Sequence, residues 1–287
     1  MQLMRLGPSG QERPAVRLNG GPTWDVSDVF ADYDQDFFAN NGIAHLNDLI
    51  AERSNSLSVV AVDSVRIGAP IAKPYQVLCI GLNYAEHARE SGMPTPNEPV
   101  VFNKAPSTIV GPNDDVLIPP RSLKTDWEVE LAVVIGTEAR YLGDVAAAGR
   151  CIAGYAISND VSERAFQLER GGQCVKGKSC ETFNPLGPWL ATAEEIANPQ
   201  NLQLSLRLND EVMQDGRTSD MIFGVHHIVW YLSQFMTLEP GDVVNTGTPL
   251  GVGMGQSPPR YLRDGDVMEL GIDGLGIQRQ TVRDPHS

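Results

Sequence analysis

The run Asp126-Trp-Glu-Val-Glu-Leu-Ala-Val-Val-Ile135 has the apolar weight of a buried β-strand, yet it sets three carboxylates at alternate positions. Side chains alternate across a strand, so Trp127, Val129, Leu131 and Val133 are expected on one face and Asp126, Glu128 and Glu130 on the other. Two positions along one face span about 7 Å, where like charges repel by about 2 kcal/mol at an effective dielectric of about 20, before any desolvation cost. Either the acid face is solvated, as one face of many antiparallel sheets is, or a cation sits among the acids. A hard divalent ion such as Mg²⁺ suits the second arrangement, because it takes carboxylate oxygens and keeps positions for water or substrate.

The chain around this strand has 287 residues and 41% hydrophobic content, enough for a large core in one big domain or in a main domain with a small partner. No apolar run approaches the roughly 20 residues of a membrane-spanning helix, and Met1–Pro8 lacks the basic and apolar regions of a signal peptide, so a cytoplasmic protein with no membrane partner is expected. A net charge of -14 speaks against nucleic acid as a partner, since that interaction draws on clustered Lys and Arg. Cys79, Cys151, Cys174 and Cys180 show neither metal-ligand spacing nor a disulfide framework and are expected as reduced thiols.

Residues 1–72 read as a small N-terminal domain, with short apolar stretches, a Gly20-Gly-Pro22 turn and a helical pattern over Ile43–Arg53. Ala69-Pro-Ile-Ala-Lys-Pro74 resembles a linker to a larger unit over 73–287. There, strand-like runs at 77–80, 131–135, 152–157, 202–208, 243–246 and 267–272 alternate with Gly/Pro turns, which predicts a β-rich α+β fold. Helices are expected from Asn83, as cap, to Gly92, over Val161–Arg170, and over Met221–Phe235.

Several polar residues fall where such elements join. Asp160 ends a strand and precedes a helix, a place for an N-cap or for a metal ligand. Arg164 and Gln167 stand four and seven positions later on the same helix face, either exposed or ready for an anionic, oxygen-rich ligand. His87 and Glu90 are three residues apart on one helix: a surface pair, or a dyad in which the carboxylate orients a general base. His226 and His227 fit core packing or exposure better than ligation, and His45 and His286 have no suggestive neighbours. Lys178, in a glycine-flanked loop, can neutralise a carboxylate or a developing enolate, and Asn245-Thr-Gly-Thr-Pro249 offers backbone N–H groups for a small anion nest. No phosphate loop, Rossmann fingerprint or Gly-x-Ser-x-Gly elbow is present.

Taken in order, Gly81-Leu-Asn-Tyr-Ala-Glu-His87 with Glu90, Asp126-Trp-Glu-Val-Glu130, Ser158-Asn-Asp160, Gly177-Lys-Ser179 and Asn245-Thr-Gly-Thr-Pro249 resemble the fumarylacetoacetate hydrolase superfamily from about Tyr75 to the C-terminus. The resemblance implies a mixed β-sandwich roll with a small N-terminal α/β domain. It further implies Mg²⁺ or Mn²⁺ held by Glu128, Glu130 and Asp160, a 2-oxo acid as small-molecule partner, and a homodimer or homotetramer. By position, His87 and Glu90 match the water-activating dyad and Lys178 the active-site lysine, while Asn83, Tyr84, Arg164, Gln167 and Thr248 match substrate-contacting positions. Glu181 departs from the Asp that many relatives carry after the lysine motif.

The segments Arg5–Pro14, Val161–Arg164 and Gln167–Gly172 look closest to a bacterial sugar-acid branch of the family, which implies a hydrolase acting in L-rhamnose catabolism. Such an enzyme breaks the C3–C4 bond of 2,4-dioxo-3-deoxy-L-rhamnonate to give pyruvate and L-lactate. A lyase of the same family is the rival reading: an oxaloacetate-type decarboxylase, a hydratase or a ureidoglycolate lyase. A metal-binding scaffold without turnover is the third.

Overall fold

Val129–Ile135 and Ile152–Asn159 are buried along their whole length, so these two runs lie at the middle of a sheet rather than at its edge. The computed structural model describes residues 1–18 and 20–285. In chain order the strands are β1 (Gln2–Leu6), β2 (Arg13–Arg17), β3 (Thr23–Asp25), β4 (Val59–Val60), β5 (Ile67–Gly68), β6 (Val77–Gly81), β7 (Val100–Lys104), β8 (Ile109–Val110), β9 (Val116–Leu117), β10 (Thr125–Asp126), β11 (Val129–Ile135), β12 (Ile152–Asn159), β13 (Ser162–Glu163) and β14 (Asn184–Thr192). They continue as β15 (Gln203–Leu208), β16 (Glu211–Arg217), β17 (Val243–Asn245), β18 (Val267–Ile272) and β19 (Gly276–Arg283). The α-helices are α1 (Gln35–Ala39), α2 (Gly42–Arg53), α3 (Ala85–Glu90), α4 (Val145–Gly149), α5 (Arg164–Leu168), α6 (Cys174–Lys178) and α7 (Val225–Ser233).

The main sheet runs β4-β3-β2-β1-β14-β12-β11-β17-β6-β7, and a five-stranded sheet runs β16-β15-β18-β19-β9. The period of two in β11 decides what lies between them. Val129, Leu131, Val133 and Ile135 pack with Leu204, Leu206, Leu208, Met268 and Leu270 of the second sheet. Ala132 and Val134 face the opposite way, into a core shared with Leu3, Val16, Phe37 and Leu46. This is a β-rich α+β fold, and its two cores lie on opposite faces of one sheet.

Residues 1–72 do not close on themselves. β1 pairs antiparallel with β14, Leu3 opposite Leu190, so the N-terminal strands extend the main sheet and α1 and α2 cover one of its faces. No helix among the described residues is long and apolar enough to cross a membrane, and all four cysteines are free thiols.

Four local expectations need correction, each because side chains or short ladders take over backbone groups. The strand expected over 126–135 is interrupted: Thr125–Asp126 pairs with Ser162–Glu163 in a separate ladder. Between the two pieces, Asn159 Oδ1 accepts the Glu128 N–H at 3.2 Å and Gln214 Oε1 the Val129 N–H at 2.9 Å. Asp126 therefore does not share the acid face with Glu128 and Glu130. The same β10–β13 ladder shortens the helix expected over 161–170 to Arg164–Leu168, where Glu163 accepts the Ala165 N–H at 3.0 Å. The helix expected from Met221 starts at Val225, because Asn83 accepts the N–H groups of Ile222 and Phe223 at 2.8 Å each. Asn83 is thereby committed away from its own helix, whose N-cap is Tyr84 with no side-chain cap.

Candidate active site

β11 and β12 pair with Val129 opposite Asn159 and Glu130 opposite Ser158, so the acids at the start of one strand meet the residue that follows the other. The Asp160 N–H donates to the Glu128 carbonyl at 2.9 Å and fixes that junction. As a result Glu128, Glu130 and the sequence-distant Asp160 each place one carboxylate oxygen within 4.8 Å of the other two, and all three are buried.

Three cationic side chains surround the acids unevenly. Lys178, from the end of α6, donates to Glu128 at 2.8 Å and to Asp160 at 2.7 Å. Arg164 pairs with Glu128 at 2.7 Å and with Asp126 at 2.8 Å. Lys104, at the end of β7, donates to the other Asp160 oxygen and to the Phe183 carbonyl. Among the described residues Glu130 is in no ion pair; its carboxylate accepts the Gly247 N–H at 2.8 Å. The φ of +99° at Gly247, with Asn83 Cβ 2.7 Å from where its own Cβ would be, explains why glycine holds that position.

The electrostatics follow from this imbalance. Burial pushes the Glu128 carboxyl up, but Lys178 and Arg164 outweigh it and hold Glu128 below the usual carboxylate range. Burial would lower the Lys178 ammonium, but Asp160 and Glu128 outweigh that and keep it charged. For Glu130, burial and then Asp160 and Glu128 all act in one direction and raise the carboxyl well above its ordinary value. A buried trio of oxygen donors, one of them without a cationic partner and raised by the other two, is the environment a hard divalent ion relieves; the residues fit Mg²⁺ or Mn²⁺.

His87 lies on the wall of the same cavity, about 280 Å³, with Glu128, Glu130, Lys178, Gln167 and Thr248. Its Nδ1 is 2.8 Å from Glu90 Oε1, the contact that i,i+3 spacing on α3 permits, and Glu90 also accepts the Gly251 N–H at 2.9 and 3.1 Å. With Nδ1 donating to Glu90, Nε2 is the ring nitrogen with a lone pair for a proton. Arg164 and Gln167 share the wall and touch each other at 3.2 Å. The Thr248 hydroxyl donates to the Val129 carbonyl and accepts from Gln214, so that threonine reaches the cavity from a fixed position.

Two of the expected substrate contacts lie elsewhere. Asn83 is fully buried and holds Thr246 and Phe223 by their backbones, and neither it nor Tyr84 is on the cavity wall. His226 and His227 sit on α7, where His227 stacks with Phe223 and Tyr231. Glu181 is exposed beside Thr182. His286 lies outside the described residues. Lys104 was not singled out from sequence; its burial follows from the pairing of β7 with β6, which sets it opposite Val77.

Comparison with known proteins agrees with this geometry. The family model for the fumarylacetoacetate hydrolase C-terminal domain matches residues 76–283. A Burkholderia cenocepacia protein named "Putative hydrolase" is 49% identical over 285 residues, covering 99% of both chains. The crystal structure of the fumarylacetoacetate hydrolase of Exiguobacterium antarcticum is 35% identical and superposes with a TM-score of 0.84 over 99% of each chain. The maleylpyruvate hydrolase of Sphingobium sp. SYK-6, solved with manganese and pyruvate, is 26% identical with a TM-score of 0.81, again over 99% of each chain. Matched by the family model over most of its length and by relatives along the whole of it, this chain belongs to the fumarylacetoacetate hydrolase family and is an enzyme of it.

Proposed function

We propose that the protein is a divalent-metal-dependent hydrolase that cleaves the C3–C4 bond of a 2,4-dioxo, acylpyruvate-type acid. The observation that carries this reading is the placement of His87, bonded from behind by Glu90, on the same wall as Glu128, Glu130 and Lys178. A group that takes a proton from water suits hydrolytic attack on a carbonyl compound held on the other side of the cavity. The manganese and pyruvate bound to the Sphingobium relative support a metal and a 2-oxo acid on that other side. A Mg²⁺ or Mn²⁺ ion, when bound by Glu128, Glu130 and Asp160, supplies Lewis-acid polarisation to a 2-oxo acid.

The remaining chemistry belongs to the chain's own residues. His87 Nε2 takes a proton from water while Glu90 holds Nδ1, and the water oxygen adds to C4. The C3–C4 electron pair leaves as the pyruvate enolate, whose charge the Lys178 ammonium offsets. Protonation at C3 gives pyruvate, and the acyl half leaves as a carboxylic acid, so one water is consumed. Arg164 and Gln167 present donors for the substrate carboxylate, and Phe102, Val100, Met93 and Leu168 give the acyl half an apolar wall.

The first substrate to assay is 2,4-dioxo-3-deoxy-L-rhamnonate, whose small acyl half ends in a methyl group that this wall accommodates. Pyruvate and L-lactate should appear in equal amounts with Mg²⁺ or Mn²⁺ present. His87→Ala should lose turnover by about 10²-fold or more while still binding pyruvate, within the range general acid–base catalysis supplies. Release of carbon dioxide, ammonia or urea in place of a second acid, or full turnover by His87→Ala, refutes the reading.

A further inference from the structure

Glu90 has a second set of partners besides His87. Both of its oxygens accept the Gly251 N–H, at 2.9 and 3.1 Å, so its carboxylate rests on the turn that runs from Gly251 to Gln256. That turn is gripped from behind by the two residues just before Glu128. Asp126, fully buried, accepts the N–H groups of Gly253 at 2.6 Å and Met254 at 2.9 Å. The Trp127 indole N–H donates to the Gly251 carbonyl at 3.1 Å. The turn has glycine where the grip is tightest: a Cβ at Gly251 would lie 1.9 Å from the Met213 carbonyl oxygen, and one at Gly255 would lie 2.5 Å from Glu90 Oε2.

We propose that the Gly251–Gln256 turn is the seat of the Glu90 carboxylate, and that Asp126 and Trp127, by fixing this turn, are positioning residues for the His87–Glu90 dyad. The inference rests on the dyad reading given under Proposed function and assigns it a support built from the acid strand itself. Glu128 and Glu130 join Asp160 in the acid trio, whereas Asp126 and Trp127 bond the turn, so one short segment of sequence sets the distance between the metal-binding acids and the base. Arg164 closes the connection, pairing with Asp126 on one side and Glu128 on the other.

Gly255→Ala tests this. Its φ lies outside the left-handed region, and the three atoms nearest the added methyl all belong to the Glu90 side chain, at 2.5–3.0 Å, so the carboxylate is what must shift from its seat. Expected are a fall in kcat of about 10²-fold, the low end of what general acid–base catalysis contributes, unchanged affinity for Mg²⁺ and for pyruvate, and faster amide hydrogen exchange in α3 with β11 unaffected. In a Glu90→Ala background the same substitution should cost nothing further, because its clash is gone. Trp127→Phe, which removes the indole N–H and keeps a ring, should move α3 exchange in the same direction. Unaltered α3 exchange in Gly255→Ala, or a loss that adds fully to that of Glu90→Ala, overturns the proposal. If His87→Ala and Glu90→Ala both keep full kcat, the dyad reading itself fails; if they lose it and Gly255→Ala does not, only the seat fails.

Discussion

Lys104→Met removes one of two ammonium groups from Asp160 while preserving length and packing. Lys104 is 1% exposed, and its ammonium donates to Asp160, to the Phe183 carbonyl at 2.6 Å and to the Val161 carbonyl at 3.2 Å. Opposite charges about 4 Å apart attract by about 4 kcal/mol at an effective dielectric of about 20. The neighbouring Lys178, bound to the same carboxylate, repels Lys104 and reduces that figure, but two carbonyl oxygens also lose their donor. Breaking a buried pair by deleting one partner costs about 3–5 kcal/mol, and the retained Lys178 contact sets the expectation at the lower end, about 3 kcal/mol. At about 2 °C per kcal/mol for a chain of this size, Tm should fall by about 6 °C. The assay is thermal and urea unfolding in the presence of a chelator, so that a bound ion contributes nothing to the difference. Lys104→Met with Asp160→Asn should recover part of the loss, since an amide needs no counter-charge. A single-variant loss below about 0.5 kcal/mol, the range of an ordinary surface change, refutes the claim that the acid trio depends on Lys104.

Two further outcomes concern the site and its surroundings. Mg²⁺ or Mn²⁺ at about 100 times its Kd should stabilise the protein by about 2.7 kcal/mol, seen as a rise in Tm. Glu130→Gln should lose most of that rise, and an undiminished rise would place the ion elsewhere. Burial, and then Glu163, push the Cys180 thiol up to about 11. The thiol is protonated below that value, so iodoacetamide should label Cys180 slowly at pH 7 and quickly only as the pH nears 11. Rapid labelling at neutral pH would contradict a raised thiol.

Much of the site was legible because its chemistry conflicts with its setting. Glu128 and Glu130 stood out as charges beside a run of valines, and His87 and Glu90 as a spacing that a helix turns into a contact; the structure puts Glu128, Glu130 and His87 on one cavity wall, with Glu90 against His87. Asp160 needed the pairing of β11 with β12 to explain its nearness to them. What stayed hidden was work done by polar side chains on distant backbone. Asn83 looks like a helix cap because its role as a staple of Phe223 and Thr246 depends on segments about 140 residues away or more. Asp126 looked like a third member of an acid face because a period of two assumes an unbroken strand, and the break at Trp127–Glu128 is made by Asn159 and Gln214 from other elements. The N-terminal 72 residues look separable for a similar reason: the pairing of β1 with β14 is invisible to local pattern.

The order of strands in the main sheet also sets a timetable for synthesis. β6, which leads directly into α3 and His87, pairs in parallel with β17, so Val77 has no neighbour on that side until Val243 has been made. At roughly 5–20 residues per second, the ribosome takes about 10–30 s to cover the intervening stretch. Through that interval the Val77–Ile80 edge is open and available to chaperones, and the helix that carries the base has no turn to rest on. Docking of α3 and its His87–Glu90 pair onto the Gly251 turn is therefore a late event, and a nascent chain stalled before residue 243 would expose a sticky strand.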